Sequence, residues 1–312
     1  MKYFFTKYRF FLSGAALILT AASCTSTLSD EPATDARAIS FTPAAETRAA
    51  VEGGTLPDDF LVWGGYSNTL LFEGETVHPD GSYENGTRYW VPGTYNFYAV
   101  YPATIINDKT KFSNGSLTVE NFDCSATGNA AVDLMTAISP SITYKAGNEP
   151  QAVAMKFQHE LAKVEVSVRT DQGVTATIEN AELTGMVYKG TLTATSNSST
   201  WAPITSTSDE TPYQVTEPVT INTPSTTSLF GDILIIPQKT DKLTLNIAIT
   251  RDKEGNTYNF DLGTSIAQWT AGRSYRYVLT IEADAITFSN FTVDEWGETH
   301  TGGDINIGTS DN

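Results

Sequence analysis

Apolar and polar residues alternate in several short stretches of this chain, and no stretch of useful length shows a helical period. Every second residue is apolar in Lys163 to Val168, in Leu243 to Ile249 and in Tyr275 to Ile281. A β-strand places successive side chains on opposite faces, so each stretch predicts a strand with one buried face. Strands at this spacing, with turn residues between them, predict an all-β protein.

Other stretches add strands and turns to this pattern. Ile233 to Ile236 is apolar throughout and predicts a strand covered on both faces. Ala38 to Thr42 alternates and predicts an early strand that ends at Pro43. Hairpin turns are predicted at Asp171 to Gly173 and at Asp252 to Asn256.

The length of 312 residues accommodates two domains of ordinary size. Ser139 to Pro150 contains two prolines and a glycine and is the predicted connection between them. The predicted organisation is a leader over residues 1–23, a flexible tether over 24–37, an N-terminal β-sandwich over 38–148 and a C-terminal β-sandwich over 149–312. Both sandwiches are expected to be antiparallel.

The first residues have the features of an export signal. Lys2, Lys7 and Arg9 precede an apolar stretch from Phe10 to Thr20, which is too short for a permanent membrane helix. Small residues then lead to Cys24, as in a bacterial lipobox, which predicts Cys24 as the lipidated first residue of an exported outer-membrane lipoprotein. The alternative is an ordinary signal peptide with a cysteine near its end.

The charge balance is acidic. Lys and Arg number 19 against 36 Asp and Glu, and loss of the three positive leader residues takes the net charge from −17 to −20. Nucleic acid and anionic headgroups require a basic surface, so neither is expected as a partner apart from the membrane contact of the lipid anchor. An acidic, solvated exterior suits an exported protein.

Enzymatic motifs are missing from the sequence. His78, His159 and His300 are isolated, without the spacing of metal ligands, and no phosphate loop, nucleophile elbow or dinucleotide fingerprint occurs. We therefore expect no enzyme activity, metal or cofactor. Asp252 to Asn256 is interpreted as a hairpin tip, not a calcium loop, and Cys124 as an inert thiol.

Aromatic residues suggest an alternative function. A monomeric surface lipoprotein could bind glycans through an aromatic face at Trp63, Trp90 or Trp296. Asp294 and Glu295 beside Trp296 are not predicted to be a catalytic pair, because adjacent residues on a strand point to opposite faces.

Several segments, in this order, resemble the fimbrillin-like proteins of Bacteroides and its relatives. The segments that support the resemblance are the lipobox at Cys24, Ile39 to Phe41, Thr47-Arg48-Ala49, Asp133-Leu134-Met135, Phe157 to Val164, Leu234 to Gln238, Trp269 to Tyr275 and Val293 to Trp296. The resemblance implies two transthyretin-like β-sandwich domains and a pilus subunit, structural or at the tip, that acts in adhesion. Its partners would be other pilus subunits and a host or bacterial glycan or protein.

The resemblance also implies a maturation step. In the family an arginine-specific protease removes the lipidated tether together with the first strand. Arg48 is the matching site here, and Arg37 is the second choice because cleavage there would leave Ile39 and Phe41 attached. The alternative is that Arg48 is a solvated loop arginine.

Removal of a strand would leave a groove that a strand from another subunit can fill by β-strand addition. Asp304, Ile305, Asn306 and Ile307 form the candidate donor segment, because apolar and polar residues alternate there between glycines. The same pattern fits a fixed edge strand equally well. A head-to-tail joint of this kind does not close on itself and therefore produces a filament.

Overall fold

The structure is a computed structural model that describes residues 37–45, 56–67, 69–106, 108–204, 211–264, 266–295 and 305–311. The predicted leader, Cys24, Arg48, Trp296, His300 and Asp304 lie outside these residues. Within the described ranges, no helix is long and apolar enough to cross a membrane.

The regular structure of the described residues is almost entirely strand, with one helical turn at Ala103–Ile106 and two 3-10 turns at Gly128–Ala130 and Leu262–Thr264. In chain order the strands are β1 (Phe41–Ala45), β2 (Phe60–Tyr66), β3 (Thr69–Val77), β4 (Gly93–Tyr101), β5 (Thr110–Ser113), β6 (Ser116–Asp123), β7 (Met135–Ile138), β8 (Ile142–Tyr144), β9 (Val153–His159), β10 (Ala162–Thr170), β11 (Ala176–Thr184), β12 (Lys189–Thr195), β13 (Ser199–Pro203), β14 (Gln214–Val215), β15 (Val219–Ile221), β16 (Thr227–Ser228), β17 (Ile233–Ile235), β18 (Thr244–Arg251), β19 (Glu254–Asp261), β20 (Arg273–Ile281), β21 (Ala285–Glu295) and β22 (Ile305–Asp311). The predicted all-β class is confirmed.

The strands make four sheets. Sheet I has the order β1-β9-β7-β4-β2-β3, with β8 also on β4. Sheet II has the order β16-β10-β20-β21-β22, with β17 on β10, and sheet III has the order β14-β11-β18-β19, with β15 on β11. Sheet IV has the order β13-β12-β6-β5.

Two strand pairs run parallel, namely β1 with β9 and β10 with β20. The expectation of purely antiparallel sheets was wrong for these pairs. Alternation of side chains reports which face of a strand is buried, but it is the same for both strand directions.

The predicted boundary between residues 148 and 149 does not separate the sheets. Strand β9 follows that boundary but pairs with β1 and β7 of sheet I. Strand β6 precedes it but pairs with β12 in sheet IV. The transthyretin-like character of two tandem domains stays a prediction.

Two hydrophobic clusters form the core. One lies on a single face of sheet I and includes Phe60, Phe97 and Phe157. The other joins the opposite face of sheet I, at Leu61 and Val100, to sheets II, III and IV. Sheet I is therefore covered on both faces, which explains its runs of apolar residues such as Phe60 to Trp63.

The two predicted hairpin turns have different outcomes. Asp252 and Lys253 join β18 to β19 with φ angles of 52° and 72°, as a tight hairpin requires. The turn at Asp171 to Gly173 instead connects β10 of sheet II to β11 of sheet III, so the hairpin predicted there was wrong. Turn residues signal a change of direction without specifying which strands pair.

Candidate functional site

Strand β1 and the residues before it lie at an edge of sheet I. Ile39 and Phe41 are 1% and 3% exposed, whereas Ser40 and Thr42 between and after them are exposed. The predicted alternation of this segment is therefore confirmed. The backbone N–H of Val153 donates a hydrogen bond of 2.8 Å to the carbonyl of Ser40, and β1 continues along β9 from there.

The other edge of the segment is paired as well. The N–H of Ile39 donates to the carbonyl of Arg88 at 2.8 Å, and the N–H of Trp90 donates to the carbonyl of Arg37 at 2.9 Å. Both acceptor and donor lie in the β3–β4 loop, which we define as residues 78–92. The segment thus fills a groove between β9 and this loop.

Pro43 lies inside β1, opposite Met155, so the prediction that it ends the strand was wrong. The backbone carbonyl of Ser40 points toward β9. The N–H and C=O groups of successive residues point to opposite edges of a strand, so residue 43 points to the other edge. The nitrogen of Pro43 therefore faces away from β9. Proline is tolerated there because no ladder hydrogen bond is lost.

Three aromatic rings surround the Phe41 side chain, and we call them the aromatic box. The ring centroid of Phe41 lies 5.1 Å from Phe72, 5.5 Å from Phe97 and 6.2 Å from Tyr83. All three contacts are edge-to-face, the geometry that aromatic quadrupoles favour. The box thus packs around the side chain at this position with defined geometry.

Polar contacts fix the position of the segment along the groove. The Tyr83 hydroxyl donates to the carbonyl of Ile39 at 2.9 Å and accepts from the N–H of Arg88 at 3.2 Å. Gly81 approaches so closely that a Cβ on it would lie 1.8 Å from the carbonyl oxygen of Phe41. Only glycine fits at this contact.

An ion pair holds the loop against the box. The Arg88 guanidinium lies 4.8 Å from the ring centroid of Phe72 and donates to the Glu75 carboxylate at 2.8 Å. Glu75 is 7% exposed and also accepts from the Asn85 side-chain amide at 2.8 Å. A buried carboxylate with two such donors is satisfied, so the loop has a well-defined position.

Sequence reasoning identified Ile39 and Phe41 but missed the residues that receive them. Phe72, Tyr83, Phe97 and Arg88 are distant in sequence from β1 and belong to no motif. The β3–β4 loop contains two turn dipeptides, Asp80-Gly81 and Asn85-Gly86, and neither indicates a contact with β1.

The predicted cleavage and donor residues lie at different places. Arg37 is exposed at the start of the groove segment. Ile305 and Asn306 begin β22, the outer strand of sheet II, and pair with Asn290 and Ser289 of β21. The register shifts at Ile307, which has no partner residue in this ladder.

Two tryptophans of the proposed glycan face are inside the protein. Trp63 and Trp90 are 6% and 3% exposed, so neither presents a ring to a sugar. That part of the glycan interpretation was wrong, since both residues pack into the apolar faces of sheet I.

The histidines described by the structure lie against carboxylates. His78 lies 2.9 Å from Asp59, whose hydrogen bond raises the pKa of the imidazole, and His159 lies 3.0 Å from Asp133. No group of three metal-ligating side chains occurs among the described residues. Burial raises the pKa of the Cys124 thiol to about 12, which makes it a poor nucleophile.

Fold and site together define an all-β protein whose first strand is held in a groove between a neighbouring strand and a loop. A family model described as fimbrillin-like matches residues 47–296, and the chain belongs to this fimbrillin-like family. Its members are structural pilus proteins of the cell surface and not enzymes.

Two solved structures with TM-scores above 0.5 share the fold at low sequence identity. A protein assigned to cell adhesion from Bacteroides uniformis is 20% identical with a TM-score of 0.53, and covers 83% of this chain and 98% of its own. Another from Bacteroides ovatus is 16% identical with a TM-score of 0.54, covering 84% and 99%. The fimbrial anchor protein Mfa2 from Porphyromonas gingivalis is 12% identical with a TM-score of 0.38, covering 87% and 99%. Among curated proteins, none matches the chain significantly.

Proposed function

We propose that this chain is a structural or tip subunit of a pilus that acts in adhesion and polymerises by β-strand addition. The precursor would be exported as an outer-membrane lipoprotein through Cys24. Proteolysis would then remove the segment that contains Ile39 and Phe41, and a strand from another subunit would occupy the vacant groove.

The single observation that supports this proposal is the position of residues 39–41. Their apolar side chains are buried, and their backbone bonds to β9 on one edge and to the β3–β4 loop on the other. Removal would leave both edges unpaired around an apolar groove, which is unfavourable in water. Refilling two such side-chain positions contributes about 3–6 kcal/mol at roughly 1.5–3 kcal/mol each, in addition to backbone pairing.

Arg48 is the better of the two cleavage candidates. It follows the end of β1 at Ala45 by three residues, so cleavage after it would release the whole strand. Cleavage after Arg37 would leave the strand attached. The family match also begins at residue 47, two residues after the end of β1.

The candidate donor has an edge position in sheet II. Among the strands that the structure describes, β22 pairs with β21 alone, so detaching it breaks one of these ladders and not two. Ile305 and Ile307 would supply the alternating apolar side chains that a groove requires.

The test of cleavage follows the size of purified precursor after treatment with an arginine-specific protease. We expect a shortened chain and a ladder of multimers that resists dissociation without heating. Arg48→Ala should abolish the ladder, because cleavage after Arg37 leaves β1 attached, whereas the matched variant Arg37→Ala should leave both the shortened chain and the ladder unchanged. Multimers that form from the Arg48→Ala chain, or a chain cleaved after Arg48 that stays monomeric, would refute the proposal.

The test of the donor uses a chain that ends after residue 303. It should be cleaved normally and accept a strand but be unable to donate one. Undiminished ladders from this chain alone would exclude residues 304–307 as the donor.

A further inference from the structure

We propose that the aromatic box selects the strand that completes this subunit: the preferred donor carries an aromatic side chain at the Phe41 position, and a second copy of this chain is a weaker donor that joins when no such strand is present. This inference rests on the proposed strand exchange. It specifies the side chains of the partner segment, namely an apolar residue, a polar residue and an aromatic residue in succession at the positions of residues 39, 40 and 41.

The walls of the box define the shape that fits it. Phe72 and Phe97 are fully buried and meet the Phe41 ring at interplanar angles of 80° and 86°. Tyr83 meets it at 64° from the loop side. An aliphatic side chain of similar hydrophobicity would lose these edge-to-face contacts and would fill a planar space incompletely.

The groove holds the backbone of the incoming strand so that only every second side chain of the donor can enter the box. Tyr83 and Arg88 bond the backbone of residue 39, and the Gly81 backbone touches that of residue 41. A slip by one residue would place polar side chains in the box and apolar ones in water. These contacts involve only the backbone of the occupant, so a slip by two residues would keep them, and the fit of a side chain in the box decides which donor position enters it.

The candidate donor of this chain is a poor match for the box. In the same direction as β1, Ile305 would take the Ile39 position and Ile307 the Phe41 position. Residues 305–311 contain no aromatic residue. A joint between two copies would therefore place isoleucine between three rings, whereas a paralogous subunit with an aromatic residue at that position would restore the contacts.

The experiment measures strand exchange into the full chain nicked after Arg48, with labelled peptides and fluorescence anisotropy. The native peptide copies residues 38–47. One variant of it carries Phe41→Ile, and a second variant carries Thr42→Ile at an exposed position as the matched control. A second pair copies residues 302–311 with and without Ile307→Phe. No variant alters the protein itself, so a folding defect cannot mimic the result.

We expect Phe41→Ile to weaken binding about tenfold and Ile307→Phe to strengthen it about tenfold, because each changes two or three edge-to-face contacts. Thr42→Ile should change binding less than about twofold. The selectivity is refuted if the native peptide binds and the Phe41→Ile peptide binds equally well, or if the peptide of residues 302–311 binds as tightly as the native one. In either case the proposed strand exchange into the groove is still supported. If no peptide exchanges, the groove accepts no second strand, and the proposed function is refuted together with the inference.

Discussion

At the scale of single residues, the β3–β4 loop requires glycine for two different reasons, positive φ and close approach of another backbone, and Gly81 and Gly86 differ in the second. Both have positive φ, at 84° and 79°. A Cβ on Gly81 would collide with the Phe41 backbone, whereas a Cβ on Gly86 would meet nothing within 4 Å. The pair therefore distinguishes the cost of the backbone conformation from the cost of close approach.

We predict that Gly81→Ala lowers the free energy of unfolding by more than about 3 kcal/mol, since the groove segment must move away. Gly86→Ala should cost about 1 kcal/mol, the typical cost of a left-handed conformation for alanine. Chemical denaturation of both variants tests the difference. Equal losses would show that β1 does not lie against residue 81.

The thiol of Cys124 is predicted to be unreactive in the folded protein. Burial raises its pKa to about 12, so almost no thiolate exists at pH 8. In a chain with Cys24→Ser, Cys124 is the one remaining cysteine. A thiol reagent should label it within minutes in denaturant and not over hours in buffer, and rapid labelling in buffer would contradict its burial.

Glu160 provides a pH-dependent prediction. Its carboxylate accepts hydrogen bonds from Thr136 and Ser199, but burial dominates and raises its pKa. A carboxyl with a raised folded-state pKa favours the folded state most below its unfolded pKa near 4.5, and this contribution is lost as pH rises through the folded pKa.

We therefore predict that Glu160→Gln raises the melting temperature at pH 7 and has a smaller effect at pH 4, because glutamine is uncharged and its oxygen can accept the same two bonds. Glu149→Gln, at an exposed position, is the control and should change little at either pH. A Glu160→Gln protein that melts lower than the parent at pH 7 would show that the ionised form is favoured.

At the scale of elements, the β18–β19 hairpin is held by a turn whose residues are not ideal for it. Asp252 and Lys253 both have positive φ, and the second position of such a turn favours glycine. Lys253→Gly should stabilise the protein by up to about 1 kcal/mol, because the roughly 1–2 kcal/mol cost of the left-handed conformation for lysine exceeds the roughly 0.5–1 kcal/mol of unfolded-state entropy that glycine adds. Lys242→Gly, in a turn without positive φ, should destabilise it instead. Thermal melts of the two variants in parallel test the opposite signs.

At the scale of the whole molecule, the sheets connect the two halves of the sequence. Strand β9 completes sheet I, and β6 and β12 share sheet IV although they lie on opposite sides of residue 148. Neither half can bury its strand edges without the other.

We predict a single cooperative unfolding transition for the region from residue 37 onward, with equal calorimetric and van't Hoff enthalpies. Separate chains of residues 37–148 and 149–312 should show poorly dispersed NMR spectra. Two resolved transitions, or a well-folded half, would support independent domains.

Local residue patterns are enough to establish the all-β class and the buried faces of most strands. Alternation in Lys163 to Val168 or Tyr275 to Ile281 depends only on the two-residue period of a strand, which is a local property. It also determined that Ile39 and Phe41 are buried together, for the same reason.

Tertiary structure alone decided which strands pair, in which direction, and what surrounds Phe41. The parallel pairing of β1 with β9, the aromatic box and the Gly81 contact join residues that are tens of positions apart. Such contacts depend on backbone edges and on packing, and these are properties of the assembled sheets that a local pattern does not encode.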